Sequence, residues 1–263
     1  TMLDATTRNQ IVVDLIATYQ TRKPLPLLTQ AYPQIEMEDA YAIQREFISH
    51  SLAKGRSVRG YKVGLTSKAM QEMSGATEPD FSAMTDDLFL PEDTPLDHSR
   101  FFRPLIEIEI AFVMKGALKG PGVLPVDVLR ATDFVLPAIE IVDFRVGPAP
   151  GMTVVDTVAD LAACGAAVLG ANPCRLEDLD LRRVHGQMIV NGNVEQEGYA
   201  SAVLGNPVTA VAWLANKIAP YDEQLNAGDV VLAGSFTRPV ACVRGDCIHA
   251  DYGRLGSISF RFT

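Results

Sequence analysis

The segment LIEIEIAFVM, residues 105 to 114, alternates between apolar and acidic side chains over its first half. Successive side chains of an extended chain point to opposite faces, so Ile106 and Ile108 fall on one face and Glu107 and Glu109 on the other. This alternation predicts a β-strand. The fold is constrained to one that buries at least the isoleucine face of that strand.

Short runs rich in β-branched residues, separated by Gly, Pro and Asp, dominate the chain from residue 60 onward and predict a mostly antiparallel β region. Helical patterns interrupt it near residues 126 to 132 and 206 to 218. The chain has no strand–helix alternation and no GxGxxG or GxxxxGK[ST] motif, which argues against a Rossmann or P-loop nucleotide site. The predicted strand segments are GYKVGL, LFL, LIEIEIAFVM, FVLPAIEIVDF, GQMIVNGNVEQ, DVVLAGSF and LGSISFRF.

The first part of the chain is helical in pattern. TRNQIVVDLIATYQTR has apolar residues at helical spacing, and EMEDAYAIQREFISHSLAKG places Ile43 and Phe47 near one face before it ends at Gly55. The fold class predicted is α+β, with a small N-terminal helical region before the β region. We expect an α-rich region over residues 1–75 and a β-rich catalytic domain over residues 76–263.

Composition narrows the classes of function. The chain has 263 residues, 48% of them hydrophobic, which is enough for a large packed core. Its formal net charge of −9 argues against nucleic acid or an anionic membrane as a partner, although one local positive pocket can still bind an anionic small molecule. No apolar run matches a membrane span or a signal peptide, so we expect a cytoplasmic protein.

Three glutamates on two predicted strands suggest a metal site. Glu140 lies between two isoleucines in LPAIEIVDF, a context that repeats the one around Glu107 and Glu109. An ordinary half-buried strand with its glutamates in water is the simpler interpretation. Three carboxylates on adjacent strands with no basic neighbour in sequence would, however, repel one another unless a cation lay between them. Oxygen ligands suit Mg²⁺ or Mn²⁺, and the scarcity of histidine argues against zinc.

Lys62 lies in GYKVGL with Gly60 and Gly64 on either side. Glycines let the backbone approach a ligand closely, and a partly buried lysine is expected to lose its proton more easily. The alternative interpretation is an ordinary surface lysine.

Two further segments carry polar groups that could contact a ligand. Asp80 in EPDF is predicted to be a carboxylate on a turn. Ser235 and Thr237 in GSFTRPV could hold a substrate carboxylate with their amides and hydroxyls. Each segment taken alone is ordinary turn chemistry.

These segments together resemble the fumarylacetoacetate hydrolase superfamily. IEIEIAFV followed by PAIEIVD is similar to the family's Glu-x-Glu and Glu metal motif. GYKVGLTSKAM, EPDF, AVLGNPVTAVAWLANKIAPY, GSFTRPV and DYGRLGSISFRF resemble the branch of 2-hydroxy-2,4-dienoate hydratases and 4-oxalocrotonate decarboxylases of aromatic meta-cleavage pathways. The resemblance covers nearly the whole chain and implies a fumarylacetoacetate-hydrolase-like fold, mixed and mainly antiparallel.

The resemblance also implies roles for particular residues. Mg²⁺ or Mn²⁺ would be bound by the three glutamates, and it would hold the C1 carboxylate and the C2 oxygen of the substrate as a Lewis acid. Lys62 would transfer protons, with Asp80 as a second acid–base or water-positioning group. The resemblance further implies a higher homo-oligomer that can associate with an enzyme of the same pathway. The substrate-binding residues expected are Leu65, Ser235 and Thr237.

The chain departs from the family pattern at a few positions. Ala159 and Leu161 occupy positions where relatives carry polar residues in a Ser-Asp-Asn-Ala-like run, and Ser82 follows EPDF where glycine is expected. The segment RVGPAPGMTVVD is also shorter than in hydratases that act on longer dioates. The substrate and its chain length are therefore left open.

Three functions remain after these observations. Hydration of a 2-hydroxydienoate is favoured, because the resemblance implies an apolar residue in place of Asp80 in the decarboxylases. Decarboxylation of 4-oxalocrotonate is the alternative, and a non-catalytic partner subunit is the third. Hydrolysis of a carbon–carbon bond would need a histidine paired with a glutamate to activate water, and none of the four histidines lies in such a context. These histidines are His50, His98, His185 and His249.

Overall fold

A computed structural model describes residues 2–263 of the chain. The chain has an N-terminal helical region followed by a region rich in strands, as predicted; the two predicted helices form α1 and α3, and the short α2 lies between them. The helices are α1 Ala5–Thr21, α2 Leu28–Ala31, α3 Met37–Ala53, α4 Lys68–Ser74, α5 Pro125–Ala131, α6 Val154–Ala159 and α7 Pro207–Ile218. The strands are β1 Val58–Gly64, β2 Asp80–Thr85, β3 Phe89–Pro91, β4 Leu105–Met114, β5 Thr132–Val142, β6 Cys164–Leu169, β7 His185–Val190, β8 Asn193–Tyr199, β9 Val230–Leu232, β10 Val240–Ala241, β11 Cys247–Asp251 and β12 Ser257–Arg261.

A large eight-stranded sheet forms the centre of the molecule. Its order is β2-β1-β9-β4-β5-β6-β3, and the short β10 pairs with β4 outside this path. The long strands β4 and β5 are antiparallel, while β1 with β9 and β3 with β6 are parallel. Gly60 permits the close pairing of β1 with β9, because a Cβ atom there would lie 1.8 Å from the carbonyl oxygen of Val230. Because the sheet combines parallel and antiparallel pairs, β1 lies in the same sheet as β4 and β5.

Both faces of the β4–β5 pair are buried. The isoleucine face packs into the main core, with Ile106 and Ile108 fully buried. The glutamate face borders a second apolar cluster in which Ala111, Ala138 and Ala167 are small. The glutamates therefore lie inside the protein, and the simpler interpretation that placed them in water is wrong.

A second, four-stranded sheet has the order β12-β11-β7-β8. The run GQMIVNGNVEQ, predicted as one strand segment, forms the β7–β8 hairpin instead. The hairpin turns at Asn191 and Gly192, whose φ angles are +52° and +83°. An Asn-Gly pair tolerates two left-handed residues, which is why the chain reverses there. This sheet meets the large one through contacts between β7 and β4 and between β12 and β5.

The N-terminal helices pack against the large sheet. The amide of Gln44 on α3 is buried and donates to the carbonyls of Phe81 and Val158, both at 2.9 Å, which ties α3 to β2 and α6. Strand β1 lies before residue 75 and pairs with strands after it, so the boundary at residue 75 stays a prediction. None of the helices within residues 2–263 is long and apolar enough to span a membrane.

Candidate active site

Glu107, Glu109 and Glu140 come together where β4 pairs with β5. Glu107 lies directly opposite Glu140 in the register, and Glu109 lies opposite Ala138, whose small side chain leaves room for the carboxylates. One oxygen from each of the three carboxylates falls within 4.8 Å of the others. Their exposed fractions are 8%, 1% and 0%. The sheet register thus builds a closed cluster of three acids.

The carboxylate oxygens of this cluster have few protein partners. Oε2 of Glu109 accepts a hydrogen bond from the amide of Gly234 at 3.0 Å. Oε1 of Glu109 and Oε2 of Glu140 are buried without a hydrogen-bond partner among residues 2–263, and Oε1 of Glu140 makes no hydrogen bond there but lies 3.1 Å from the Lys62 ammonium. Buried carboxylates without partners are costly. The cluster could therefore hold a hard divalent cation, for which an all-oxygen donor set is suitable.

Burial and mutual repulsion disfavour the ionised forms of these acids. Burial and the charge of Glu140 raise the pKa of Glu107 to about 8, although Lys62 acts in the opposite direction. The same two causes, together with the charge of Glu107, raise the pKa of Glu109 well above its ordinary value. When ionised, the three carboxylates therefore carry more negative charge than the cationic side chains at the site can balance.

Lys62 reaches the same cluster from β1. Its ammonium lies 3.1 Å from Oε1 of Glu140 and donates to the carbonyl oxygen of Ala162 at 2.8 Å. The residue is only 4% exposed, so it is not a surface lysine. Burial would lower the pKa of Lys62, but the charges of Glu140 and Asp80 outweigh it and raise the pKa. The prediction that Lys62 loses its proton more easily is wrong in direction, because two carboxylates stabilise the ammonium.

Asp80 lies beside Lys62 as the first residue of β2, rather than on the predicted turn. It faces Gly64 across the β1–β2 pair. A Cβ atom on Gly64 would lie 2.3 Å from Oδ1 of Asp80 and 3.1 Å from Nζ of Lys62, so only glycine leaves space for both groups. Burial raises the pKa of Asp80 to about 6, with Lys62 opposing and Glu140 adding to the effect. Oδ1 of Asp80 is buried without a hydrogen-bond partner in the described chain.

The loop after β9 carries the remaining polar candidates. Oγ1 of Thr237 is buried and makes no hydrogen bond within residues 2–263, so it is available to a ligand. The hydroxyl of Ser235 is already used inside the loop: it donates to the carbonyl of Thr237 at 2.8 Å and accepts from the amide of Thr237 at 3.2 Å. Leu65 follows β1 in a left-handed conformation, with φ +53°, and its carbonyl accepts from the side chain of Gln71. The geometry supports Thr237 better than Ser235 as a ligand group.

A strained loop that sequence reasoning missed holds Lys62 in place. Leu161, Ala162 and Ala163 all have positive φ, between +51° and +56°, and the carbonyl of Ala162 is the one that accepts from Lys62. Left-handed backbone costs roughly 1–2 kcal/mol per residue for side chains other than glycine, asparagine and aspartate. Asparagine tolerates this conformation well. Leu161, where the resemblance implies a polar residue, therefore lies at a position whose backbone makes leucine unfavourable.

The preceding residue anchors this loop. The carboxylate of Asp160 accepts hydrogen bonds from the main-chain amides of Arg145 and Val146, at 2.7 and 3.2 Å, and pairs with the Arg145 guanidinium. Both side chains are 2% exposed. A buried and fully hydrogen-bonded pair of this kind fixes the segment from which the strained loop starts.

Most of the chain is similar to known proteins. A family model described as fumarylacetoacetate (FAA) hydrolase, C-terminal, matches residues 62–263, which include all eight candidate residues. The chain belongs to the fumarylacetoacetate hydrolase family. The family resemblance inferred from the motifs is thereby confirmed, and so is the predicted fold class.

Several relatives of this fumarylacetoacetate hydrolase family member match it over nearly its whole length. The chain is 45% identical to 2-oxo-hept-4-ene-1,7-dioate hydratase of Escherichia coli, over 99% of this chain and 100% of that protein. It is 37% identical to 2-hydroxyhexa-2,4-dienoate hydratase of Comamonas testosteroni, over 98% and 97%. The structure of 4-oxalocrotonate decarboxylase from Pseudomonas putida G7, complexed with magnesium and adipate, matches with a TM-score of 0.96 and 32% identity, over 100% and 99%.

The strained loop generates a stability prediction. Ala162→Gly relieves a left-handed backbone, whereas Ala159→Gly removes a methyl group from the buried end of α6, where glycine is unfavourable. We expect Ala162→Gly to be more stable than Ala159→Gly by at least about 1 kcal/mol. Urea unfolding of both variants measures this difference. Equal stabilities would show that the loop relaxes in solution.

Proposed function

We propose that this protein is a metal-dependent hydratase that adds water to a 2-hydroxy-2,4-dienoate and yields a 4-hydroxy-2-oxo acid. The substrate proposed is of the 2-hydroxypentadienoate or 2-oxo-hept-4-ene-1,7-dioate type. The observation that carries the proposal is the buried cluster of three carboxylates with unpartnered oxygens, with Lys62 and Asp80 beside it. Two relatives named as hydratases, at 45% and 37% identity over nearly the whole chain, support the reaction type.

Glu107, Glu109 and Glu140 are the metal ligands proposed. Their donor set contains only oxygen, which suits Mg²⁺ or Mn²⁺. The decarboxylase structure similar to this chain is complexed with magnesium, which supports the same class of ion here. A bound divalent ion would supply a Lewis acid for the 2-oxo group and a charge that offsets the three carboxylates.

The chain's own residues move the protons. Ketonisation of the dienol transfers a proton from the 2-hydroxyl group to C5, and hydration then adds hydroxide at C4 and a proton at C3, so the sequence consumes water but no net proton. Lys62 enters as an ammonium, because Glu140 and Asp80 keep it charged, and gives from Nζ the proton that C3 receives in the hydration step. Asp80 holds the attacking water with Oδ1, which has no hydrogen-bond partner within residues 2–263, accepts a proton from that water and returns it to the neighbouring Lys62.

The loop at Thr237 would bind the substrate carboxylate. Its hydroxyl is buried and makes no hydrogen bond within residues 2–263, and the neighbouring amide of Gly234 already donates to Glu109. The same loop therefore contacts both the proposed metal ligands and the proposed substrate. Leu65 and Ser235 are proposed as further contacts, with Ser235 acting through its main chain because its hydroxyl is occupied.

Decarboxylation of 4-oxalocrotonate is the second candidate, favoured by one observation. The decarboxylase structure superposes with a TM-score of 0.96 over the whole chain. Loss of carbon dioxide needs stabilisation of the resulting enolate but no group that activates water. The buried Oδ1 of Asp80, which has no hydrogen-bond partner within residues 2–263, can hold a water for attack, a role that only hydration needs, and hydration is therefore preferred. A non-catalytic partner subunit would have no use for the unpartnered carboxylates, which are costly to bury.

The setting proposed is aromatic meta-cleavage catabolism in the cytoplasm. The site is built to handle a small 2-oxo or 2-hydroxy acid, and assembly into a higher homo-oligomer, with possible association with a pathway enzyme, is part of the same proposal. The family resemblance of the motifs supports this setting.

If the three glutamates bind a metal, replacing one of them should not harm the stability of the metal-free protein but should remove the stabilisation that Mg²⁺ provides. Glu107→Gln removes one buried acid, so we expect the protein in EDTA to be at least as stable as wild type. The rise in melting temperature that Mg²⁺ causes in wild type should be lost, together with turnover. Thermal denaturation with and without Mg²⁺ measures both effects. The control is Glu177→Gln, an exposed glutamate. Full wild-type activity in EDTA would rule out the metal role.

Removal of the Lys62 ammonium tests proton transfer. Lys62→Met keeps the apolar stem, so we expect metal binding to survive while kcat falls by roughly two orders of magnitude or more, the range of general acid–base groups. The matched control is Lys119→Met, which removes an exposed lysine paired with Asp222. Stopped-flow absorbance of dienoate loss and calorimetric Mg²⁺ titration give the two quantities. A kcat near that of wild type would remove Lys62 from the mechanism.

Product analysis distinguishes the candidate functions. NMR spectra of reactions with 2-hydroxypentadienoate, its longer dioate homologue and 4-oxalocrotonate, with and without Mg²⁺, should show a 4-hydroxy-2-oxo product that requires the metal. Asp80→Leu should reduce hydration at least roughly 100-fold, while Asp133→Leu, at an exposed aspartate, should not. Carbon dioxide without hydroxylated product would support the decarboxylase, and no product from any substrate would support the partner subunit.

A further inference from the structure

Tyr252 lies between β11 and β12 of the small sheet, yet its hydroxyl reaches the strand pair that carries the glutamates. The residue is 2% exposed, and its hydroxyl donates to the carbonyl oxygen of Ala138 on β5. Ala138 is the register partner of Glu109. A hydroxyl from the second sheet thus contacts the ladder at the residue that pairs with one of the proposed ligands.

The ring of Tyr252 supports the side chain of the same glutamate by another route. It packs edge-on against Phe236, with centroids 6.2 Å apart and an interplanar angle of 74°. Phe236 belongs to the loop whose Gly234 amide donates to Oε2 of Glu109. Tyr252 therefore contacts the register partner of Glu109 with its hydroxyl, and its ring contacts the loop that holds the Glu109 carboxylate.

Two glycines of the small sheet leave room for the loop that carries Phe236. A Cβ atom at Gly186 on β7 would lie 2.6 Å from Cε2 of Phe236, and one at Gly198 on β8 would lie 2.4 Å from the carbonyl oxygen of Phe236. The small sheet therefore fits tightly around Phe236. This tight fit around Phe236 fixes the position of the loop that carries Gly234 and Thr237.

We propose that Tyr252 is a positioning residue that sets the geometry of Glu109 for metal binding. Core packing alone would need only the ring, since a phenylalanine fills nearly the same volume. The hydroxyl is directed at Ala138, the residue that pairs with the proposed ligand Glu109 in the β4–β5 ladder. Groups that orient metal ligands typically change metal affinity by about 10–100-fold when they are removed. The proposal rests on the metal role of the three glutamates.

The test uses Mn²⁺ binding to the full-length protein, followed by electron paramagnetic resonance without substrate. Tyr252→Phe retains the ring and should bind Mn²⁺ roughly 10–100-fold more weakly than wild type. The control is Ile258→Val, which trims a fully buried side chain of β12 in the same sheet and should bind as wild type does. A structural defect in the small sheet would weaken both variants equally.

A second variant keeps the test decisive if Tyr252→Phe folds poorly. Phe236→Leu leaves the Tyr252 hydroxyl intact and removes its ring contact, and it should weaken Mn²⁺ binding several-fold by loosening the Gly234 loop. Wild-type affinity in both variants, or equal loss in Ile258→Val, would overturn the positioning role alone. No Mn²⁺ binding by the wild-type protein would overturn the proposed function as well.

Discussion

The uncompensated burial of three carboxylates around one lysine is the constraint on which this structure depends. Glu107, Glu109 and Glu140 lie in the interior of a sheet whose small alanines leave space but supply no charge. Lys62 offsets part of this negative charge. Such an arrangement is unfavourable for folding alone, because buried ions without partners cost several kcal/mol each. The arrangement is explained if the protein loses some stability in order to hold a preformed binding site. Strained and charged features of this kind are common at functional sites.

The rest of the fold brings unrelated segments to this point. The parallel pairing of β1 with β9 carries Lys62 into the sheet. A left-handed loop fixed by the buried pair of Arg145 and Asp160 presents a carbonyl to its ammonium. From the opposite direction, Tyr252 and the glycines of the small sheet seat the loop that contacts Glu109. Each support comes from a different part of the sequence, so the site depends on the packing of the whole domain.

Sequence reasoning located the candidate residues but misjudged several of their environments. The alternation around Glu107 shows which residues share a face, yet the same pattern fits a strand with one face in water. Burial on both faces follows from packing against distant segments, which alternation does not encode. Lys62 and Asp80 were found through motifs, while their pKa directions depend on Glu140, a neighbour that sequence spacing cannot place. The paired hydroxyl of Ser235 likewise became visible only in the loop's own geometry.

The sequence by itself determined the strand-rich architecture, the set of candidate acids, the lysine and the family, because these rest on local periodicity and on motifs that can be read along the chain. The tertiary structure alone decided that the acids are closed off from solvent and that, within residues 2–263, the hydroxyl of Ser235 is hydrogen-bonded while that of Thr237 is not. It also decided that the carbonyl of Ala162 contacts Lys62 and that Tyr252 contacts Ala138. The physical reason is that burial, hydrogen-bond saturation and charge balance depend on which distant residues become neighbours.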